Sequence, residues 1–205
     1  MSLNSNKKQH LLVRVVRDKI ELTGFYVDKK ISIKFPAKSF ENLSNLKKAD
    51  FEDTISKTLK TNKLTDIEAI IFVSDEIAFS KTINKLTEEN ISQQTLKFNN
   101  EIPYEADNVF IQKFKKDDKL YLLGSNKSLL NRIYTVFEKN NITMSGVFFE
   151  SALLIYGVMI DTKNDNFTEK LLNDAKLVNF YKTKKPKKSK LSKKTLAILL
   201  VLILL

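Results

Sequence analysis

Residues 109–149 read VFIQKFKKDDKLYLLGSNKSLLNRIYTVFEKNNITMSGVFF, and their rhythm decides the fold. Two short apolar runs, 109–115 and 119–124, flank Asp117-Asp118, a pair suited to a tight hairpin turn. Leu129, Leu130, Ile133, Val136 and Phe137 then recur at helical spacing, which predicts a helix over 127–140. Residues 143–149 return to strand character. Upstream, 77–86 reads as a strand. Thr87 caps a helix to about Asn100, with Ile91, Thr95, Phe98 and Ile102 on one face. The order β-α-β-β-α-β is that of a ferredoxin-like unit.

Working outward, 67–73 (IEAIIFV) is an almost continuous apolar run, expected of a strand covered on both faces. Residues 11–17, 20–27 and 30–35 read as an antiparallel meander with turns at Asp18-Lys19 and Asp28-Lys29, ended by Pro36. Asp50 caps a helix to about Lys60, with Phe51, Ile55 and Leu59 inward. Residues 150–160 (ESALLIYGVMI) form a helix apolar on most sides, expected to be buried between elements. A further helix fits near 167–177. The class is therefore α+β in two lobes. A β-meander lobe spans 10–75, and a ferredoxin-like lobe with its closing helix spans 76–160. A polar, lysine-rich linker follows over 161–194.

The composition excludes whole classes of chemistry. There is no Cys, one His and four scattered Gly in 205 residues. Thiolate nucleophiles, Cys-ligated metals and a local glycine-rich phosphate loop are therefore out, and a His-rich metal centre or a Ser-His-Asp triad is disfavoured. No catalytic, cofactor or metal residues emerge. The expectation is a protein that is not an enzyme and needs no cofactor. Asp75-Glu76 read as a solvated turn, His10 as an exposed residue, and Arg14 and Arg17 as solvent-facing.

The net charge of +11 invites a nucleic-acid reading. Yet eight lysines lie beyond Tyr181 with no acid among them, which leaves 27 basic and 24 acidic residues in 1–180, a net of +3. After the lysines comes TLAILLVLILL (195–205). A membrane-spanning helix needs about 20 apolar residues. This run therefore reads as the start of a transmembrane helix cut short. Lys184, Lys185, Lys187, Lys188, Lys190, Lys193 and Lys194 would lie at an anionic membrane surface. That topology puts the N-terminus in the cytoplasm, on the inner face of the plasma membrane, with a single pass.

Several stretches carry a resemblance. They are Thr87–Phe110 with its Glu101-Ile102-Pro103-Tyr104 turn, then 119–149 with its Asn-Asn-Ile turn, then Phe149-Glu150-Ser151-Ala152-Leu153. Over about 10–160 the chain resembles the type IV pilus assembly protein PilM and the cytoplasmic part of the type II secretion protein GspL. Both are actin-like proteins related to FtsA. The resemblance covers the first half of that fold. It implies that Glu101, Ile102, Pro103 and Tyr104 take part in binding a partner peptide between lobes; the alternative is that Glu101 belongs to a polar loop and Pro103 and Tyr104 shape the turn and pack the core. The implied partners are PilN-like or PilO-like membrane proteins and an assembly ATPase, with a homodimer also open. One departure is decisive. The family's first hairpin carries an Asp-x-Gly-Ser-type phosphate loop, and the corresponding residues 13–19 (VRVVRDK) contain neither glycine nor serine. The second half of the nucleotide site should follow residue 160, where linker and apolar run stand instead. The resulting expectation is a non-catalytic, membrane-anchored scaffold of a pilus or secretion platform. The alternatives are a nucleic-acid binder using the lysine tract, and an actin-like ATPase half completed by a second chain.

Overall fold

A computed structural model describes residues 10–35, 48–161 and 167–174. The seven lysines between 184 and 194 and the apolar run 195–205 lie outside the described residues. Among the described residues, no helix is long and apolar enough to cross a membrane.

The chain is a mixed α+β structure built on two sheets. The first has five strands. These are β1 (His10–Val15), β2 (Lys19–Gly24), β3 (Ile31–Lys34), β4 (Ile67–Val73) and β8 (Ile142–Phe149), in the order β3-β2-β1-β4-β8. The second sheet is β5 (Ala78–Ile83), β7 (Lys119–Asn126) and β6 (Val109–Lys116), in the order β5-β7-β6. The meander β1-β2-β3 is antiparallel, whereas β4 runs parallel to both β1 and β8.

The ferredoxin-like unit is therefore corrected. Its element order is present, but its last strand leaves the group. β8 pairs with β4, and the second sheet keeps only three strands. The reason lies in β4, which is buried at six of its seven positions and flanked by a strand on each edge. A parallel partner must come by a long crossover. Helix α3 (Lys127–Lys139) supplies it, packing on β8 and on α1 (Lys48–Thr61).

Local signals set most of the elements. The β6–β7 turn uses Asp117 and Asp118 at φ 50° and 55°, as a two-residue hairpin of type I′ requires. Helix α2 (Glu88–Glu101) starts at Thr87, whose hydroxyl accepts from the Asn90 N–H. The side chain of Asn126 accepts from the Leu129 N–H at 2.9 Å to open α3. At the other end of α3, Asn141 takes φ 57°. The Asn140 amide ties that end to Ser56 of α1 at 3.1 Å.

Alternation along the strands sorts the core into two layers. Leu11, Val13, Val15, Ile71 and Val73 face α1 and α3. Leu12, Ile70, Phe72 and Phe148 face the other way, against Leu153, Phe167 and Leu171. The last two belong to α5 (Phe167–Asn173), which stands where a further helix was expected near 167–177 and docks on this face. His10, expected to be exposed, is buried at 5 % exposure. It bonds Thr168 of α5 at 3.2 Å and pairs with Glu68 at 3.2 Å.

The closing helix is also corrected. It spans only Glu150–Ile155 (α4), with Ala152 and Leu153 inward. Gly157 at φ 72° ends it, with the Val158 N–H donating to the Leu153 carbonyl at 2.9 Å. Leu154 and Met159 are exposed, so one side of the segment faces outward, while Tyr156 packs on Phe114 of β6 at 5.5 Å and Leu153 packs against the large sheet.

Phe72 is 1 % exposed and stacks with Phe148 and Phe167, each at 6.4 Å. Phe72→Ala is expected to cost about 3–5 kcal/mol of stability in chemical denaturation. Leu96→Ala, at a position that is 63 % exposed, should change stability by less than about 0.5 kcal/mol.

Candidate functional site

In open sheets with parallel strands, ligands bind beyond the carboxyl ends of the strands. Here that end gathers Arg14, Ser74, Asp75 and Glu150, from the ends of β1, β4 and β8. Arg14, read from sequence as solvent-facing, is partly exposed but engaged. Its guanidinium forks onto Glu150, with Nη2 donating to Oε2 at 2.9 Å and to the Ser74 hydroxyl at 3.2 Å. Nη1 lies 3.6 Å from Glu21. The hydrogen bond to Glu150 raises the Arg14 pKa further.

Glu21 is in turn clasped by Lys19 at 2.9 Å and Lys30 at 3.0 Å. The hydrogen bond from Lys19, with help from Lys30, holds its carboxyl down to about 2, against the desolvation that burial imposes. Asp75, read from sequence as a solvated turn, is exposed but accepts the Ser151 N–H at 3.1 Å in the first turn of α4. The β1–β2 turn is closed by the Val16 N–H on the Lys19 carbonyl at 3.1 Å, and Arg17 and Asp18 are exposed. At this end of the sheet, carboxylates of the chain itself answer its cation and its helix start. The arrangement is chemically that of a lock between strands. Among the described residues, no group of three or more His, Cys, Asp or Glu side chains could hold a metal ion.

The residues singled out as partner-binding lie elsewhere. Glu101 ends α2 and pairs with Lys81 at 3.3 Å and Lys97 at 3.9 Å. Ile102 is 4 % exposed and packs with Phe98 in the core beneath α2. It comes so close to β7 that a Cβ on Gly124 would sit 2.6 Å from its Cδ1. Tyr104 packs edge-on to Phe79 at 5.8 Å. Burial raises its hydroxyl pKa. Pro103 is exposed. These four residues stay together on the α2 side of the small sheet, and two of them are engaged in its core.

A groove that sequence reading missed runs beside β8, the outer strand of the large sheet. One end is an open cleft of about 670 Å³, lined by Asp66, Glu68, Glu138 and Tyr134 and by Ile142–Met144 of β8. The other end is a small apolar pocket of about 50 Å³, lined by Phe110, Leu130, Tyr134, Met144 and Val147, with Lys127 at its rim. Tyr134 and Met144 line both, so the two join. The Tyr134 hydroxyl donates to Glu138 at 3.1 Å. No local pattern in the sequence signals this groove, because its walls come from β4, β6, α3 and β8.

No family model matches the chain, and no curated protein is significantly similar to it. Solved structures do match. One is the cytoplasmic domain of EpsL, an inner membrane component of the type II secretion system of Vibrio cholerae. It shows 9 % identity and a TM-score of 0.47, over 71 % of this chain and 58 % of that one. A second is the PilM–PilN type IV pilus biogenesis complex, with 7 % identity and a TM-score of 0.48, over 73 % and 50 %. A third, from Bacteroides thetaiotaomicron, has an actin-like ATPase fold and unknown function. It shows 13 % identity and a TM-score of 0.40, over 77 % and 58 %. The chain thus spans half to three fifths of the length of the structures it matches.

The lowered carboxyl of Glu21 ties stability to pH. Its contribution is complete above the ordinary value of 4.5 and is lost as pH falls toward about 2. Denaturation between those limits should show a steeper loss for the natural chain than for Glu21→Gln. Equal slopes would show that the clasp does not act on this group.

Proposed function

We infer that this chain is a non-catalytic scaffold of a type IV pilus or type II secretion assembly platform, docking a partner peptide at the inner face of the membrane. The observation that carries this reading is the groove beside β8. An outer strand, an apolar pocket and a polar cleft in one line suit an extended segment that adds main-chain contacts and one buried side chain. The self-answered charges around Arg14 support the non-catalytic part. A phosphate placed there would have to displace Glu150 from Arg14, or Glu21 from its two lysines. The sequence resemblance over 87–155 supplies the machine.

The groove takes over the role that the resemblance gave to Glu101–Tyr104. The partner would be a PilN-like membrane protein offering a short cytoplasmic segment, with PilO-like proteins and an assembly ATPase as further neighbours. The apolar run 195–205, preceded by lysines, would anchor the body in the membrane as a single pass with its N-terminus in the cytoplasm.

The test is binding of the partner's cytoplasmic segment to the full chain in detergent, read by calorimetry. Leu130→Asp places a charge at the mouth of the apolar pocket and should weaken binding more than tenfold while leaving the circular dichroism unchanged. ATP should give no heat of binding. Micromolar affinity for ATP would overturn the non-catalytic reading, and undiminished peptide binding by Leu130→Asp would overturn the groove.

A further inference from the structure

The connection between β2 and β3 breaks a rule of turn chemistry. The Val27 N–H donates to the Gly24 carbonyl at 3.3 Å, which closes a β-turn with Phe25 and Tyr26 at its two corners. Such corners favour Gly, Pro, Asn, Asp and Ser, which fit the backbone or bond it locally. Here they carry two aromatic rings, 57 % and 38 % exposed, set edge to face at 6.3 Å. They are the two aromatics among the five exposed large apolar side chains of the described residues. The backbone beneath them is held. Gly24 presses on β1, where a Cβ would lie 2.8 Å from the His10 carbonyl oxygen. Val27 and Ile31 pack against the main core. Two rings displayed on a pinned turn, with no gain to the core, mark a place where the local rule yields to function.

The turn stands at the amino ends of the parallel strands, since Gly24 pairs with Leu11 and His10 with Glu68. That is the end opposite the bond between Arg14 and Glu150. Burial, and then the charge of Glu68, raise the Tyr26 hydroxyl pKa, so the hydroxyl stays a neutral donor. The ring thus has an apolar body and a polar tip. Lys29 and Lys30 follow in the same connection, both exposed, with Asp28 before them. Lys30 is committed to Glu21 at 3.0 Å, so Lys29 is the cation that the turn offers outward.

We propose that this turn is a second point of contact with the membrane, with Phe25 and Tyr26 in the headgroup region of the bilayer and Lys29 at the lipid phosphates. Amphipathic rings settle at that level, and a cation beside them adds attraction to anionic lipid. The inference rests on the anchored-scaffold reading and adds its orientation. A single anchor lets the body swing, whereas a contact at one end of the large sheet fixes which end faces the lipid. The wide end of the groove, lined by Asp66 and Glu68, lies at that same end of the sheet. It then opens toward the side from which a membrane protein's segment arrives.

The chain has no tryptophan and no cysteine, so single reporters can be placed in it. In the full chain reconstituted into phosphatidylcholine–phosphatidylglycerol vesicles, the indole of Phe25→Trp should be quenched by lipids brominated near the headgroup. That of Leu96→Trp, at a 63 % exposed position on α2, should not be. Adding Tyr26→Ser or Lys29→Glu to Phe25→Trp should reduce the quenching. All these positions are exposed, so circular dichroism should match that of the natural chain. A nitroxide on Asp28→Cys gives a second readout, and vesicles should shield it from a water-soluble relaxation agent.

Equal quenching at positions 25 and 96 would overturn the proposal by showing a body with no preferred end toward the lipid. If neither indole is quenched and the nitroxide is not shielded, in chains that float with the vesicles, the orientation falls. The scaffold reading then still stands on partner binding and its loss in Leu130→Asp. If the indole at 25 is shielded before lipid is added, in proportion to protein concentration, the turn is a contact between copies and the proposal falls. If the chains neither float with the vesicles nor bind the partner segment, the scaffold reading itself falls and the orientation with it.

Discussion

β4 is apolar on both faces, and that single constraint organises the molecule. A strand of this kind must be covered above and below and paired along both edges, because its backbone groups have no water to turn to. β1 takes one edge and β8 the other. Helices α1 and α3 cover one face, while Leu153 of α4 and Phe167 and Leu171 of α5 cover the other. Bringing β8 back to β4 obliges the chain to interpose α3. The small sheet β5-β7-β6 with α2 is then an excursion made between β4 and that return. The groove is a by-product of the same demand. It forms where the returning strand, its crossover helix and the edge of the excursion meet without filling the space between them.

Elements were legible in the sequence, and their partners were not. The spacing of Leu129, Ile133 and Val136 fixes α3, the Asp117-Asp118 turn fixes the β6–β7 hairpin, and the run 67–73 announces a strand buried on both sides. None of these says which strand β8 will join. The order β-α-β-β-α-β is shared by a closed ferredoxin-like unit and by an excursion that returns to an older sheet. Only the unfilled edge of β4 distinguishes them, and that edge lies nearly seventy residues earlier in the chain. His10 was misread for a related reason. Its burial comes from α5, a contact across 158 residues of sequence.

The candidate site divides along the same line. Glu101, Ile102, Pro103 and Tyr104 were visible as a word in the sequence. That word is explained by packing, since Ile102 closes the small core over Gly124 and Tyr104 leans on Phe79. The groove was invisible, because its lining is drawn from β4, β6, α3 and β8, which are brought together only by the fold. The charges at the strand ends occupy an intermediate position. Sequence showed that residues 13–19 hold no phosphate loop, and the structure adds what stands near it. Arg14 is bound to Glu150, and Glu21 is clasped by two lysines.

An ion lock stands at one end of the sheet, and an open groove runs at its outer edge. The lock joins β1, β2, the end of β4 and the start of α4 through charges that answer one another. The groove carries Asp66, Glu68 and Glu138 at its wide end, with Glu68 held by His10 at 3.2 Å and Glu138 by the Tyr134 hydroxyl at 3.1 Å.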